Sequence, residues 1–269
     1  MIDLLVTAGT VLTLDPQNRI ISDGGVAIDG GRILAVGEAS RLVAEYPARQ
    51  HIDLADGVAM PGLVDAHGHA GHSLIRTMAD DLEGWMRACD LVYRHGATPD
   101  FWRAEAELTA VERLMAGTTT SLSMLGGSGD TIRADEPEHG EAHLQGYLSV
   151  GLRAVMAIGP GAPPFPKATT RHDANGSAEV TTTFADQMNV AETLIGNWQG
   201  RKLCSVALTY PTMTMDDLGA YAVDERPPLE AAFGGWSLLM MPPPSSGGIA
   251  AAEALGILER RPDFPALAH

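Results

Sequence analysis

The sequence predicts an α/β fold in which a small β unit precedes a sheet of parallel strands. Short β-type runs broken by turn residues fill the first 60 residues, and strand-like and helical segments then alternate. The 269 residues are 45% hydrophobic and 19% charged, as in a folded chain with a substantial core. These three observations favour a globular α/β protein over a collagen-like or disordered one.

The first element is predicted to be a small antiparallel β unit. Asp29-Gly30-Gly31 stands between two of its runs and is typical of a tight hairpin turn. The β-type runs cover residues 4–14, 25–29, 32–36 and 51–54.

The following segment is predicted to form strand–helix units. Helical spacing of apolar residues over 101–116 ends at Gly117, and residues 184–198 also read as a helix. Four strands are expected to begin at Leu63, Thr118, Leu152 and Leu203. Such alternation implies a parallel sheet with right-handed crossovers. Residues 159–183 are rich in Gly, Pro, Ser and Thr and are expected to form a long exposed loop, either a lid or a disordered segment.

Charge and cysteine content exclude several classes of function. The net charge of −16 would repel a phosphate backbone, so we expect no nucleic-acid partner. No apolar run approaches the roughly 20 residues that a membrane-spanning helix needs, and the first residues lack the cationic start of a secretory signal. Cys89 and Cys204 fit neither a disulfide framework nor a zinc knuckle. We therefore expect a cytoplasmic protein without a membrane partner.

Asp65, His67 and His69 form the chemically distinctive group of the sequence. They lie where an apolar strand enters a Gly-containing loop, in the string DAHGH. Side chains two apart on an extended chain share a face, so both imidazoles are predicted to point at one metal ion, with Asp65 on the same side. Neutral imidazole nitrogens suit Zn²⁺ or Fe²⁺. Two histidines at this spacing also occur by chance, and the surrounding sequence decides between the two interpretations.

The opening β unit, PGLVDAHGH at residues 61–69 and AGTTT at 116–120 together resemble the amidohydrolase superfamily, in particular its cytosine deaminase, chlorohydrolase and guanine deaminase branch. The resemblance implies a β-sandwich segment over 1–60 and an incomplete (β/α)8 barrel over 61–211. It also implies that His67 and His69 ligate a divalent metal, Zn²⁺ or Fe²⁺, and that Asp65 lies beside these ligands without binding the metal. The implied reaction is hydrolysis of a non-peptide C–N bond in a small amide, amidine or aminoheterocycle by metal-activated water.

The later histidines and the acidic residues that this superfamily uses in catalysis have no clear match, so the catalytic residues are unknown. A catalytic zinc normally has three protein ligands plus water, and the motif supplies two. His72 is close enough in the sequence to reach a site near His69, but it is expected to be a loop residue. His139 and His143 are expected to lie on a solvated helix start, because the segment Glu138-His139-Gly140-Glu141 is polar and interrupted by a glycine.

Residues 212–269 resemble a different family, γ-glutamyltransferase, through MTMDDLGAY at 213–221 and above all MPPPSSGGI at 241–249. This resemblance implies a short α+β segment that lies upstream of that family's threonine nucleophile. Ser245 or Ser246 is expected to cap a helix rather than act as a nucleophile. A partial barrel exposes sheet edges, so self-association is expected. The alternatives are a γ-glutamyltransferase-related fragment and a non-catalytic fusion or partner subunit.

Overall fold

The computed structural model describes residues 1–125, 135–173, 175–200, 203–209, 229–233 and 236–240. It divides into two units: residues 1–65 with 111–120, and residues 66–110 with 121–269. The domain bounds inferred from sequence stay a prediction. Ser245, Ser246 and the helix expected to follow them lie outside the described residues.

The first unit contains a four-stranded sheet in the order β3-β2-β1-β4. Its elements are β1 (Ile2–Leu12), β2 (Ile20–Asp29), β3 (Arg32–Glu38), α1 (Ala39–Glu45) and β4 (Ala48–Ala59). Gly30 and Gly31 have φ values of +56° and +74°, which confirms the hairpin predicted at this position. Leu42 of α1 is fully buried and packs in a cluster with Ile2, Leu5 and Ala27.

The expectation of a purely antiparallel β unit was wrong. β4 pairs with β1 in parallel, from Ile2 opposite Ala48 to Val11 opposite Ala59. The physical reason is that α1 separates β3 from β4, and a helical crossover lets the chain return in the direction of β1. A cavity of about 580 Å³ in this unit is lined mainly by apolar side chains of these strands, including Val6, Val11, Val26 and Ile28.

The second sheet has the order β10-β7-β6-β5 and contains the four strands expected from the sequence. Strands and helices alternate along the chain as predicted: β5 (Leu63–His69), α2 (His72–Ile75), α3 (Leu82–Cys89), a π-helix (Asp90–Gly96), α4 (Pro99–Met115), β6 (Thr118–Met124), α5 (Pro137–Val150), β7 (Arg153–Ile158), β8 (Lys167–Asp173), β9 (Gly176–Thr182), α6 (Phe184–Trp198) and β10 (Cys204–Leu208). β10 pairs with β7 in parallel, which confirms the predicted strand direction there.

The loop expected over residues 159–183 contains two strands, so its disordered alternative was wrong, whereas its role as a lid stays a prediction. β8 and β9 form an antiparallel hairpin from Lys167 opposite Thr182 to Asp173 opposite Gly176. Its threonine-rich strands have β-branched side chains that favour extended backbone. A further antiparallel pair, β11 (Leu229–Phe233) and β12 (Trp236–Met240), was not predicted.

Two other sequence expectations concern single residues and segments. Cys89 and Cys204 are buried free thiols, in agreement with the absence of a disulfide framework. Among the described residues, no helix combines the length and the hydropathy needed to cross a bilayer.

Candidate metal centre

The predicted ligands lie at the carboxyl end of β5. The Leu63 N–H donates to the Gly117 carbonyl at 2.9 Å, and the Ala70 N–H donates to the Met124 carbonyl at 2.7 Å. Donor and acceptor advance along the chain by the same number of residues, so β5 and β6 run parallel. In parallel α/β sheets, functional side chains gather at the carboxyl ends of the strands. His67 and His69 occupy such an end.

The rings of His67 and His69 are close and perpendicular. Their centroids are 5.0 Å apart and their planes meet at 87°. Two imidazoles that bind one zinc ion tetrahedrally, with Zn–N distances of about 2.0–2.1 Å, have ring centroids about 5 Å apart. His67 is exposed and His69 is half-buried, so an ion can reach the pair. The spacing and the nitrogen donors therefore fit a divalent metal.

Asp65 forms an ion pair with Arg113, a residue of the last turns of α4. The Asp65 Oδ2 atom lies 2.9 Å from the Arg113 Nη2 atom and accepts a hydrogen bond from Nε at 3.1 Å. Both side chains are largely shielded from solvent, with 30% of Asp65 and 16% of Arg113 exposed. The pair fixes the carboxylate in the strand that leads to the two histidines. The role of Asp65 as a residue that supports the ligands without binding the metal stays a prediction.

His72 begins the short helix α2 and packs against His69. The two rings stack with centroids 5.2 Å apart and planes 19° from parallel. The His72 ring is also stacked with Tyr93 at 6.1 Å and makes a T-shaped contact with Trp85 at 5.3 Å. Burial, and secondarily the nearby His69, lower the pKa of His72. This residue was expected in a loop, and the structure makes it part of the aromatic packing behind the candidate ligands.

Glu105 holds the backbone of α2 in place. This side chain of α4 is fully buried, and its carboxylate accepts hydrogen bonds from the Ser73 N–H at 3.1 Å, the Leu74 N–H at 2.7 Å and the Thr109 hydroxyl at 2.8 Å. Because a buried carboxylate is costly without partners, these bonds are what make Glu105 tolerable there. They also position the turn that carries His72.

Gly71 allows the chain to turn between β5 and α2. Its φ of +92° lies in the left-handed region, and a Cβ atom there would lie 2.5 Å from the Tyr93 ring. Burial raises the pKa of the Tyr93 phenol, so this fully buried ring is neutral. The turn after the two histidines is therefore built against the Tyr93 ring.

Sequence reasoning missed Glu105 and Tyr93. The available signal was the spacing on α4, where Trp102, Glu105, Ala106, Thr109 and Ala110 share one buried face. A glutamate within an apolar helical face, four residues before a threonine, indicates a buried polar contact rather than a solvated one.

The expectation that His139 and His143 lie on a solvated helix start was wrong. Both belong to α5, and only 2% of His139 and none of His143 is exposed. The His139 Nε2–H donates to the Ala97 carbonyl at 3.2 Å, and the His143 Nδ1–H donates to the Trp102 carbonyl at 3.1 Å. These two histidines support the packing of α5 against the chain around α4. Across the described ranges, no group of three or more His, Cys, Asp or Glu side chains is arranged to hold a metal ion.

Comparison with known families gives three matches along the chain. The profile of the amidohydrolase family matches residues 58–194, and that of a bacterial imidazolonepropionase-like composite domain matches residues 24–48. The profile of gamma-glutamyltranspeptidase matches residues 189–269. Both resemblances inferred from the sequence are supported. The gamma-glutamyltranspeptidase match begins at residue 189, earlier than the expected residue 212.

The curated relatives include two nucleoside deaminases. A 5-methylthioadenosine/S-adenosylhomocysteine deaminase of Syntrophobacter fumaroxidans is 40% identical over 124 residues, which cover 45% of this chain and 28% of that protein. A 5'-deoxyadenosine deaminase of Methanococcoides burtonii is 36% identical over 161 residues, which cover 59% of this chain and 33% of that protein. The chain thus spans about a third of the length of these relatives.

Two solved structures have a similar fold. An adenosine deaminase of Xanthomonas campestris with bound zinc gives a TM-score of 0.61 at 25% identity, covering 77% of this chain and 42% of that one. A zinc complex of atrazine chlorohydrolase from Arthrobacter aurescens gives 0.58 at 20% identity, covering 81% and 49%, and at this identity it supports the fold alone. Since the profile match over residues 58–194 accounts for half of the sequence, the chain belongs to the amidohydrolase family.

Proposed function

We propose that this chain is the metal-binding part of a hydrolytic deaminase that removes an amino group from an aminoheterocycle of the adenine-nucleoside type. The observation that carries the proposal is the perpendicular pair of imidazoles, 5.0 Å apart, at the carboxyl end of β5. Relatives described as deaminases of 5-methylthioadenosine, S-adenosylhomocysteine and 5'-deoxyadenosine support the substrate class. Since the chain spans about a third of those proteins, the complete activity remains part of the proposal.

His67 and His69 are the residues that would hold a divalent cation, either zinc or iron(II). Such a cation, when bound, lowers the pKa of water toward neutrality and so makes a nucleophile available for attack on a C–N centre. The chain's own contribution is orientation: β5 presents both imidazoles, and Glu105 fixes the turn behind them. Asp65, paired with Arg113, supports the strand outside the ligand set.

The architecture that suits this function is the first part of a (β/α)8 barrel. The support is a sheet of four neighbouring strands whose carboxyl ends include the two histidines, together with fold likeness to an adenosine deaminase. Among the strands that the structure describes, β5 and β10 lie at the two edges of this sheet. Edge strands carry backbone groups that can pair with another chain, so self-association is part of the proposal.

The experiment is a Zn²⁺ titration of the metal-free full-length chain in competition with a chromophoric chelator. We expect one zinc per chain in the wild type and loss of that site in His67→Ala and His69→Ala. His172→Ala is the matched control, because His172 is an exposed histidine whose Nδ1 contacts the Ser177 hydroxyl. A wild-type chain that binds no zinc, or variants that bind as tightly as the wild type, would overturn the proposal.

A second measurement tests the reaction itself. Ammonia release from adenosine and 5'-deoxyadenosine by the zinc-loaded chain would support deamination, and the same assay with His69→Ala is the control. Ammonia release that persists in the variant contradicts a role for this metal site.

A γ-glutamyltransferase-related role is the second candidate, favoured by the profile match over residues 189–269. Enzymes with a threonine nucleophile at a new N-terminus require chain cleavage. The intact mass of the purified chain over time tests this candidate: self-cleavage before a threonine supports an autoprocessing transferase, and a constant full-length mass excludes autoprocessing by this chain. A constant mass with no metal bound and concentration-dependent association would favour the third candidate, a non-catalytic partner subunit.

A further inference from the structure

The stack behind His69 suggests a role for a residue that neither the motif nor the proposed function includes. The His72 ring is stacked with two other aromatic rings, His69 at 5.2 Å and Tyr93 at 6.1 Å, each with planes 19° from parallel. Trp85 adds a T-shaped contact at 5.3 Å. A ring enclosed in this way has little freedom to rotate, and the ring that stacks on it is restrained as well.

Ring orientation decides which of these histidines can share one cation. The lone pair of an imidazole nitrogen lies in the plane of its ring, so a shared cation must lie close to both ring planes. The planes of His67 and His69 are 87° apart and therefore cross near the pair. The planes of the stacked His69 and His72 rings are only 19° from parallel, so they meet far from the rings. Hence His67 and His69 can ligate together, and His72 is placed to support His69 instead.

The surroundings of the His72 Nε2 atom support a role through ring stacking. Its Nε2 atom is buried and has no hydrogen-bond partner among the described residues. An imidazole retained for hydrogen bonding would pair this atom, since buried polar groups are usually satisfied. The contacts that His72 makes with His69 and Tyr93 are through the flat face of its ring.

The backbone beneath His72 is independently fixed. Glu105 accepts hydrogen bonds from the N–H groups of Ser73 and Leu74, the two residues that follow His72. The preceding Gly71 lies against the Tyr93 ring, where a Cβ atom would be 2.5 Å from it. Both ends of this short segment are therefore held, and the His72 ring cannot easily follow a displaced His69.

We propose that His72 is a positioning residue that holds the His69 imidazole, by stacking, in the orientation in which it ligates a divalent cation together with His67. The inference rests on the proposed metal site. The role belongs to the aromatic face of His72 and not to its nitrogen atoms. Residues that orient metal ligands through hydrogen bonds change metal affinity by about 10- to 100-fold when they are removed, and we expect a similar effect from a residue that orients a ligand by stacking.

The test compares three variants of the full-length chain in the chelator-competition titration with Zn²⁺. His72→Ala removes the ring, and we expect about 10- to 100-fold weaker binding. His72→Phe keeps a flat ring, and we expect affinity within about threefold of the wild type, which a lost ligand would not allow. The same variant removes a buried nitrogen without a partner, so its melting temperature should rise by about 2–4 °C. His172→Ala is the control for loss of a histidine elsewhere.

A second readout follows His69 directly and needs no zinc. In NMR spectra of the metal-free chain with labelled histidine, the His69 ring protons should lose their ring-current shifts in His72→Ala and retain such shifts in His72→Phe. A visible spectrum of the Co²⁺-loaded chain, identical in wild type and His72→Phe, would support an unchanged ligand set.

The outcomes separate the two proposals. Wild-type zinc binding that is unaffected by His72→Ala overturns the positioning role and leaves the proposed function intact. Binding that is lost equally in His72→Phe and His72→Ala also overturns it, because His72 would then be a ligand. Absence of zinc binding by the wild-type chain overturns the proposed function and the role of His72 with it.

Discussion

Two histidine pairs of this chain, His67 with His69 and His139 with His143, differ in spacing, in exposure to solvent and in the contacts of their rings. His67 and His69 are two residues apart on a strand end, one exposed and one half-buried, with perpendicular rings 5.0 Å apart. His139 and His143 are four apart on α5, almost completely buried, and donate to the carbonyls of Ala97 and Trp102. An imidazole at the end of a strand can thus be accessible to solvent, whereas one on a packed helix is buried. The element that carries the histidine determines this difference.

The largest expected effect is on zinc affinity, which should depend on the strand-end pair and not on the buried pair. His69→Ala should weaken zinc binding by about 100- to 1000-fold, because a single imidazole remains where two converge. His143→Ala, measured in the same titration, should keep the affinity of the wild type, since its ring is enclosed by Trp102 and Tyr147. Equal losses in both variants would contradict the distinction between the pairs.

The next effect concerns the support of the strand-end pair. Glu105→Ala should lower the free energy of unfolding by about 2–5 kcal/mol, because the N–H groups of Ser73 and Leu74 lose a buried charged acceptor. Urea unfolding followed by circular dichroism measures the change. Glu105→Gln keeps one carbonyl acceptor and should therefore lower the free energy of unfolding by less than Glu105→Ala. If the two variants are equally destabilised, the hydrogen bonds are not the source of the effect.

A smaller effect is expected at the buried pair. His143→Ala should destabilise the chain by about 2–4 kcal/mol, since it removes a fully buried ring and its hydrogen bond to Trp102. Leu148→Ala, on the same helix but 37% exposed, is the control and should change stability much less. A neutral His143→Ala in urea unfolding would restore the solvated-helix interpretation.

The smallest expected effect is on the pH dependence of stability and concerns Asp186, which belongs to neither histidine pair. Hydrogen bonds from the backbone N–H and the hydroxyl of Thr183 lower the pKa of Asp186 at the start of α6. A lowered folded-state pKa stabilises the chain above the ordinary carboxyl pKa, and this contribution is lost as the pH falls through the folded value. Asp186→Asn should therefore be less stable than the wild type at pH 7 in urea unfolding, and the difference should shrink toward about pH 3.

The control for this pH dependence is Glu192→Gln, an exposed carboxylate in the middle of the same helix. Its stability difference from the wild type should not follow the same pH course. Zinc affinity should be unchanged in both α6 variants, and a change would mean that the helix influences the histidine site.

Local pattern was enough to predict the strand that carries the candidate ligands. The apolar run before His67, the helix over 184–198 and the Gly30-Gly31 turn are each specified by neighbouring residues, and the structure contains all three. The site itself was predicted only as far as the DAHGH string. Its supports, Tyr93 and Glu105, come from other elements, and no local pattern connects them to His72.

Two of the wrong predictions depend on contacts between residues that are far apart in the sequence. The sequence around His139 looks solvated because it is polar, but Gly146 lets α5 approach α4 closely: a Cβ atom there would lie 2.7 Å from the Arg103 carbonyl. Close helix contact turns a polar-looking segment into a buried one. The parallel pairing of β4 with β1 likewise depends on residues nearly 50 positions apart, from Ile2 with Ala48 onward.

The position of β10 has a practical consequence for anyone dividing this chain. The amidohydrolase profile ends at residue 194, yet Cys204–Leu208 extend the same sheet by pairing with β7. A recombinant piece cut at 194 would shorten α6 and bare the hydrogen-bonding edge of β7, whereas one cut after Thr209 would retain both. The boundary of sequence likeness is thus a poor place for a stop codon, and yield of monodisperse material from the two truncations would reveal the difference.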